Sequence, residues 1–153
     1  MNFANIRNKE IIDMNSKYLD EDITRIEVSE EIYQAYLEDR NRVIYSDGEI
    51  ILNPNYEAEQ AAKEAERIAH LYLTSADVER GIYQAKGMDF DDILEFVKAN
   101  PLEGLDVKAL RIELKANNFY RGNPYVDAIG SLLGFTKEQL DLFFEDGDYR
   151  YLS

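Results

Sequence analysis

Residues 42–55 read RVIYSDGEIILNPN, and this stretch decides the fold expected for the chain. Two runs rich in β-branched and aromatic residues flank Asp47-Gly48. A type I′ turn needs positive φ at both central positions, and an Asp-Gly pair accepts such angles at little cost. The spacing therefore predicts a β-hairpin over 42–52 with a two-residue turn. Asn53-Pro54-Asn55 ends the hairpin and opens the next element.

The segment before the hairpin predicts one strand and one helix. Residues 22–28 place Ile23, Ile26 and Val28 among polar side chains, a pattern typical of a half-buried strand. Ser29 is a candidate N-cap for a helix over 30–39, whose first turn carries the acidic side chains that the helix dipole favours.

The segment after the hairpin predicts a long helix over 56–73. It is rich in alanine and glutamate and contains neither glycine nor proline, so its summed helix propensity is high. A stripe of mostly small residues follows a 3-4 spacing: Ala58, Ala61, Ala65, Ile68 and Tyr72. This stripe fits a connecting helix packed on its own domain, and it also fits a short self-association helix.

Residues 74–145 predict five short helices, each with its own start signal. Gly87 and Gly134 follow two of the apolar runs, where glycine commonly ends a helix. Side chains that can cap a helix N-terminus precede the runs: Thr74, Asp89, Asp106, Asn123 and Thr136. We therefore expect an α+β chain. It has a small N-terminal β-hairpin unit (1–55), a long linking helix (56–73), and an all-helical C-terminal bundle of short helices with a short acidic tail (74–153).

Charge restricts the partners of the chain. Its 153 residues include 31 acidic and 17 basic side chains, and the net charge of −14 is spread evenly. Such a charge repels nucleic-acid phosphates and anionic membranes, and it attracts basic protein surfaces. We expect a protein partner, no direct binding of nucleic acid and no association with a membrane. The lack of cysteine fits a reducing cytoplasm.

The residue types that serve catalysis and metal binding are sparse. His70 is the single histidine and has no second histidine or cysteine to complete a metal-ligand set. An EF-hand loop starting at Asp89 would need an oxygen ligand and a glycine where Ile93 and Leu94 stand. The acidic run 145–148 lacks the downstream glutamate of such a loop. We expect a protein that is not an enzyme, with no catalytic residue, no cofactor and no metal.

Residues 117–125 have the most unusual composition in the chain. They bring three asparagines, three aromatic residues and one arginine together around a glycine turn. One interpretation is an exposed contact loop, because tyrosine and arginine dominate interface hot spots. Its candidate interaction residues are Tyr120, Arg121, Asn123 and Tyr125. The other interpretation is a structural corner in which Phe119 and Tyr120 fill the core while Arg121 pairs with a helix carboxylate.

Two segments resemble a known group of proteins. Residues 43–59, with their Asp-Gly followed by Leu-Asn-Pro, are similar to small proteins encoded beside tail-fibre genes in bacteriophages and prophages. The stretch from Leu73-Thr74 through 120–124 to 132–135 and Leu140-Asp141 resembles the C-terminal half of such proteins. The resemblance implies a phage origin, and it carries no catalytic residues over to this chain.

The resemblance and the charge together give two functional expectations. The first is a tail-associated structural or assembly factor that binds a phage tail component. The alternative is an acidic inhibitor of the anti-CRISPR type, which would occupy a basic groove of a host nucleic-acid-binding defence effector. Both place the protein in the host bacterial cytoplasm, and the first also allows the virion. The oligomeric state is left open.

Overall fold

The computed structural model describes residues 1–153 and divides them into two compact units, Met1–Ala62 and Lys63–Ser153. The expected α+β class is confirmed, because both units combine helices with antiparallel strands. The division falls inside the helix that the sequence analysis treats as a linker. None of the helices has the length and apolar character needed to cross a bilayer.

Unit 1 contains a three-stranded antiparallel sheet of order β2-β1-β3 and a separate hairpin, β4–β5. Tyr45 pairs with Ile50 next to the Asp47-Gly48 turn, so the predicted hairpin is confirmed. Both turn residues have positive φ, 49° and 91°. The elements are β1 (Asn2–Arg7), β2 (Glu10–Met14), β3 (Thr24–Val28), α1 (Glu30–Glu38), a 3-10 turn (Arg40–Arg42), β4 (Val43–Ser46) and β5 (Glu49–Leu52).

Strands β1 and β2 were not predicted from the sequence. The buried Asn5 lies in the middle of β1, between Ala4 and Ile6, so the strand shows no polar–apolar alternation. The turn between β1 and β2 uses Asn8 and Lys9, which have φ of 53° and 65°. Without a glycine, this turn lacks the usual hairpin signature.

Helix α2 (Tyr56–Ala69) is shorter than predicted. The carbonyl oxygens of Ala69 and Leu71 accept hydrogen bonds from the backbone N–H groups of Gly122 and Arg121, at 3.0 and 2.8 Å. The chain therefore leaves the helix at this point, and residues 72–74 form a strand instead. None of the α2 residues is buried.

Unit 2 is helical with one short β-ribbon, so the expectation of an all-helical module is wrong. All five predicted N-caps are confirmed, since each side chain accepts a hydrogen bond from a backbone N–H in its helix's first turn. The elements are β6 (Tyr72–Thr74), α3 (Ser75–Lys86), α4 (Phe90–Ala99), α5 (Val107–Glu113), β7 (Asn118–Tyr120), α6 (Pro124–Leu133), α7 (Lys137–Asp146) and a final 3-10 turn (Tyr149–Leu152).

The C-terminal tail is part of the folded unit. Leu152 is buried in the same core as Phe143 and Phe119. Asp148 accepts hydrogen bonds from the Arg150 side chain and backbone N–H, and these hold the pKa of its carboxyl at about 2. The tail is therefore tied to the unit by an apolar anchor rather than being only an acidic extension.

Candidate protein-interaction surface on the β6–β7 ribbon

The β6–β7 ribbon positions the most unusual segment of the sequence. Its two strands pair antiparallel over three positions, and one more hydrogen bond, from Ser75 N–H to the Asn117 carbonyl at 3.0 Å, extends the pairing. Successive side chains of a strand point to opposite faces. Leu73 and Phe119 therefore face the core together. The aligned pairs are Tyr72–Tyr120, Leu73–Phe119 and Thr74–Asn118.

The outward face of the ribbon carries a pair of exposed tyrosines. Tyr72 and Tyr120 are 58% and 51% exposed, and their ring centroids lie 5.7 Å apart at an interplanar angle of 44°. Thr74 and Asn118 complete this face and are also exposed. We refer to these four side chains as the tyrosine face. Two large rings therefore lie side by side in solvent.

Arg121 lies inside unit 2, so its predicted place in an exposed contact loop is wrong. The residue is only 6% exposed. Its Nε donates to Asp141 Oδ1 at 2.6 Å and its Nη1 donates to Asp127 Oδ1 at 2.9 Å. The guanidinium thus joins α6 to α7, as the structural-corner interpretation predicts. That interpretation is also right about the buried Phe119, but it is wrong in placing Tyr120 in the core.

Asn123 and Tyr125 also serve the scaffold. Asn123 Oδ1 accepts from Tyr125 N–H at 3.0 Å and caps α6, while its Nδ2 donates to Glu113 Oε2 at 2.9 Å. Tyr125 is half-buried against the apolar core. Of the four predicted interaction residues, Tyr120 is therefore the one whose ring stands in solvent.

The glycine of this segment fixes the turn that presents Tyr120. A Cβ on Gly122 would lie 2.9 Å from Ala69 Cβ and 3.0 Å from the Ala69 carbonyl oxygen. The end of α2 and the turn after β7 thus approach too closely for any side chain. The ion pairs of Arg121 and the close contact of Gly122 with Ala69 together position the turn after the ribbon.

Sequence reasoning missed Tyr72, the partner of Tyr120. It placed Tyr72 on the small-residue stripe of a continuous helix. The alternation of Leu71, Tyr72 and Leu73 has the period of a strand and could have indicated one here. Three residues, however, are too few to distinguish a strand from the end of a helix.

The other polar groups singled out from the sequence have local partners. His70 Nδ1 lies 2.8 Å from the Glu66 carbonyl oxygen, within its own helix end. Asp89 and Asp92 form a capping box at the start of α4. No group of three or more histidine, cysteine or acidic side chains is arranged to hold a metal ion.

Comparison with protein-family models, with curated proteins and with solved structures found no match to this chain.

Proposed function

We propose that this is a non-enzymatic phage protein that binds another protein through the tyrosine face, and that it serves as a tail-associated structural or assembly factor. The observation that carries the proposal is the tilted Tyr72–Tyr120 ring pair, over half exposed on a ribbon whose other face is buried.

The physical argument concerns the cost of binding. Tyrosine has two side-chain torsions and a large amphipathic ring, so its burial gains much area for little lost entropy. The two rings lie against each other, and backbone hydrogen bonds join the two strands of the ribbon. A partner that covers the tyrosine face therefore meets a preorganised patch, which lowers the entropic cost of association.

The phage assignment is supported by the resemblance of residues 43–59 and 73–141 to proteins encoded beside tail-fibre genes. A contact that depends on two tyrosines should show a shallow dependence on salt, because apolar and ring contacts are little screened. The inhibitor alternative is favoured by the net charge of −14 and requires a steep fall in affinity as salt rises.

The test uses purified tail-fibre and baseplate proteins from the phage genome that encodes this chain, at low and physiological salt. We expect one of them to bind with similar affinity at both. The double substitution Tyr72→Ser/Tyr120→Ser should weaken that binding by about 100-fold. Tyr83→Ser is the matched control, since Tyr83 is 62% exposed on α3, outside the tyrosine face.

Three results would contradict the proposal. The first is no binding to any tail protein. The second is binding that the tyrosine substitutions leave unchanged. The third is strongly salt-sensitive binding to a host defence nuclease, which would establish the inhibitor alternative instead.

A further inference from the structure

A second surface of unit 2 lies in a groove between α4 and α5. The groove is partly open to solvent and has a volume of about 690 Å³, which falls within the range of about 300–1,000 Å³ that is usual for ligand sites. Its floor is formed by Phe90, Leu94 and Leu114, which also belong to the core of the unit. The floor is therefore apolar and part of the packed core. None of its residues belongs to the tyrosine face.

The α5 wall of the groove, which includes the turn after α5, carries two cations that form no close ion pair. Arg111 lies in α5 and Lys115 lies in the turn that follows the helix, and both line the groove. Neither takes part in an ion pair. Two adjacent like charges on one wall repel each other and favour an anion between them.

The α4 wall has the opposite character. Asp91, Glu95 and Lys98 line it, and Lys98 Nζ lies 2.5 Å from Glu95 Oε1. The hydrogen bond and charge of Lys98, with a further contribution from Arg111, lower the pKa of Glu95. The Glu95 carboxylate is thus already paired with Lys98, and the Asp91 carboxylate gives this wall a net negative charge. An anion entering the groove is directed to the α5 wall alone.

The residues that line the groove have a net positive charge, whereas the whole chain has a net negative charge. Three cations and two carboxylates line the groove, whereas the whole chain carries −14. The bulk charge repels a long polyanion, and the acidic α4 wall repels anions on its own side. A short segment with carboxylates along one edge can place them at the α5 wall and direct an apolar side chain toward the floor.

We propose that the α4–α5 groove binds a short acidic segment of a partner protein, whose carboxylates pair with Arg111 and Lys115 while an apolar side chain lies over Leu94. This inference does not depend on the proposed function, because it uses different residues of unit 2. Either surface can be lost without the other.

The test follows backbone amide chemical shifts of the full chain during titration with a peptide that alternates glutamate and leucine. We expect shifts confined to α4, α5 and the residues next to them. The substitution Arg111→Gln/Lys115→Gln should weaken binding by about tenfold, as expected for two exposed charge pairs. Lys108→Gln is the matched control, because Lys108 lies on the same helix but does not line the groove.

Two further titrations separate the proposal from its competitors. The same peptide with glutamine in place of glutamate should bind at least tenfold more weakly, and inorganic phosphate should produce no saturable shift in α5. Absence of peptide binding, equal binding of the glutamine peptide, or equal loss in Lys108→Gln would overturn the proposal. Saturable phosphate binding in the groove would overturn it in favour of a small-anion site.

Discussion

Each of the two units of this protein is stabilised by a different kind of interaction. Unit 2 has one continuous core of 16 buried apolar residues, whereas unit 1 has a core of four, namely Ala4, Ile6, Val43 and Ile50. Small domains bury a smaller fraction of their surface, so they gain less from the hydrophobic effect. The comparison shows that the helical unit is stabilised mainly by side-chain packing, while the β-rich unit depends more on strand pairing and polar networks.

The polar network of unit 1 centres on a buried amide. Asn5 is 1% exposed, and its Nδ2 donates to Asp13 Oδ1 at 2.6 Å and to the Ser16 carbonyl at 3.0 Å. Tyr18 O–H donates to the other Asp13 oxygen at 2.6 Å. Both amide protons and both carboxylate oxygens are thus satisfied, and the segment after β2 is tied to the sheet.

The largest expected effect tests the packing of unit 2. Phe143 is 2% exposed, and its ring lies so close to Gly81 that a Cβ there would be 2.5 Å from Phe143 Cζ. Phe143→Ala leaves a cavity that the surrounding core cannot fill. We expect it to lower the free energy of unfolding of unit 2 by about 3–5 kcal/mol.

Chemical denaturation followed by NMR signals from each unit checks this prediction. The control is Phe96→Ala, because Phe96 is 41% exposed on α4, and we expect it to cost about 1 kcal/mol or less. Equal losses for the two substitutions would show that the core of unit 2 is not the main source of its stability.

An intermediate effect is expected at the one buried arginine of unit 2. Arg121→Met removes the ion pairs to Asp127 and Asp141, whose side chains are 43% and 35% exposed and so are solvated once the pairs are lost. We expect a loss of about 1–3 kcal/mol in the free energy of unfolding of unit 2. Urea denaturation measures it.

The matched control for this arginine is Arg80→Met. The exposed Arg80 pairs with Asp77 at 3.4 Å, and we expect its loss to cost less than about 1 kcal/mol. If Arg121→Met were as mild as Arg80→Met, the role assigned to the guanidinium in joining α6 to α7 would be wrong.

The smallest expected effect concerns the pH dependence of unit 1. Desolvation acts to raise the pKa of Asp13, but hydrogen bonds from Tyr18, Asn5 and Ser16 together outweigh it, so the pKa is lowered. The ionised Asp13 therefore stabilises unit 1 at pH values above about 4, the ordinary value for aspartate. This contribution is lost as the pH falls through the lowered pKa.

Asp13→Asn should remove this dependence. We expect the free energy of unfolding of unit 1 to fall less between pH 5 and pH 3 in the variant than in the unsubstituted chain. Urea denaturation at a series of pH values measures the difference. Glu27→Gln, at an exposed position of β3, should leave the pH profile unchanged. A profile that is identical with and without Asp13 would contradict the assigned network.

Local signals in the sequence were sufficient for much of the fold. The hairpin at Asp47-Gly48 and the helix starts at Ser29, Thr74 and Asn123 depend on interactions within a few residues. Such interactions are encoded by residue type and spacing, so reading them requires no knowledge of distant contacts.

Strands β1, β6 and β7 were not predicted, because each pairs with a segment distant in the sequence. Tyr72 pairs with Tyr120 across nearly a third of the chain, and each strand of the ribbon has three residues, too few to show a period. Strand β1 was hidden because Asn5, a polar residue, is buried within it. In both cases the information lies in the partner of the segment rather than in the segment.

For the candidate interaction surface, too, the sequence and the tertiary structure decided different questions. Sequence alone determined that residues 117–125 are unusual and that an arginine there either faces solvent or pairs with a helix carboxylate. Tertiary structure decided between these, because the carboxylates of α6 and α7 converge on Arg121 and bury it. It also brought Tyr72 beside Tyr120. Residue type sets what a side chain can do, but its exposure and neighbours depend on packing between elements distant in sequence.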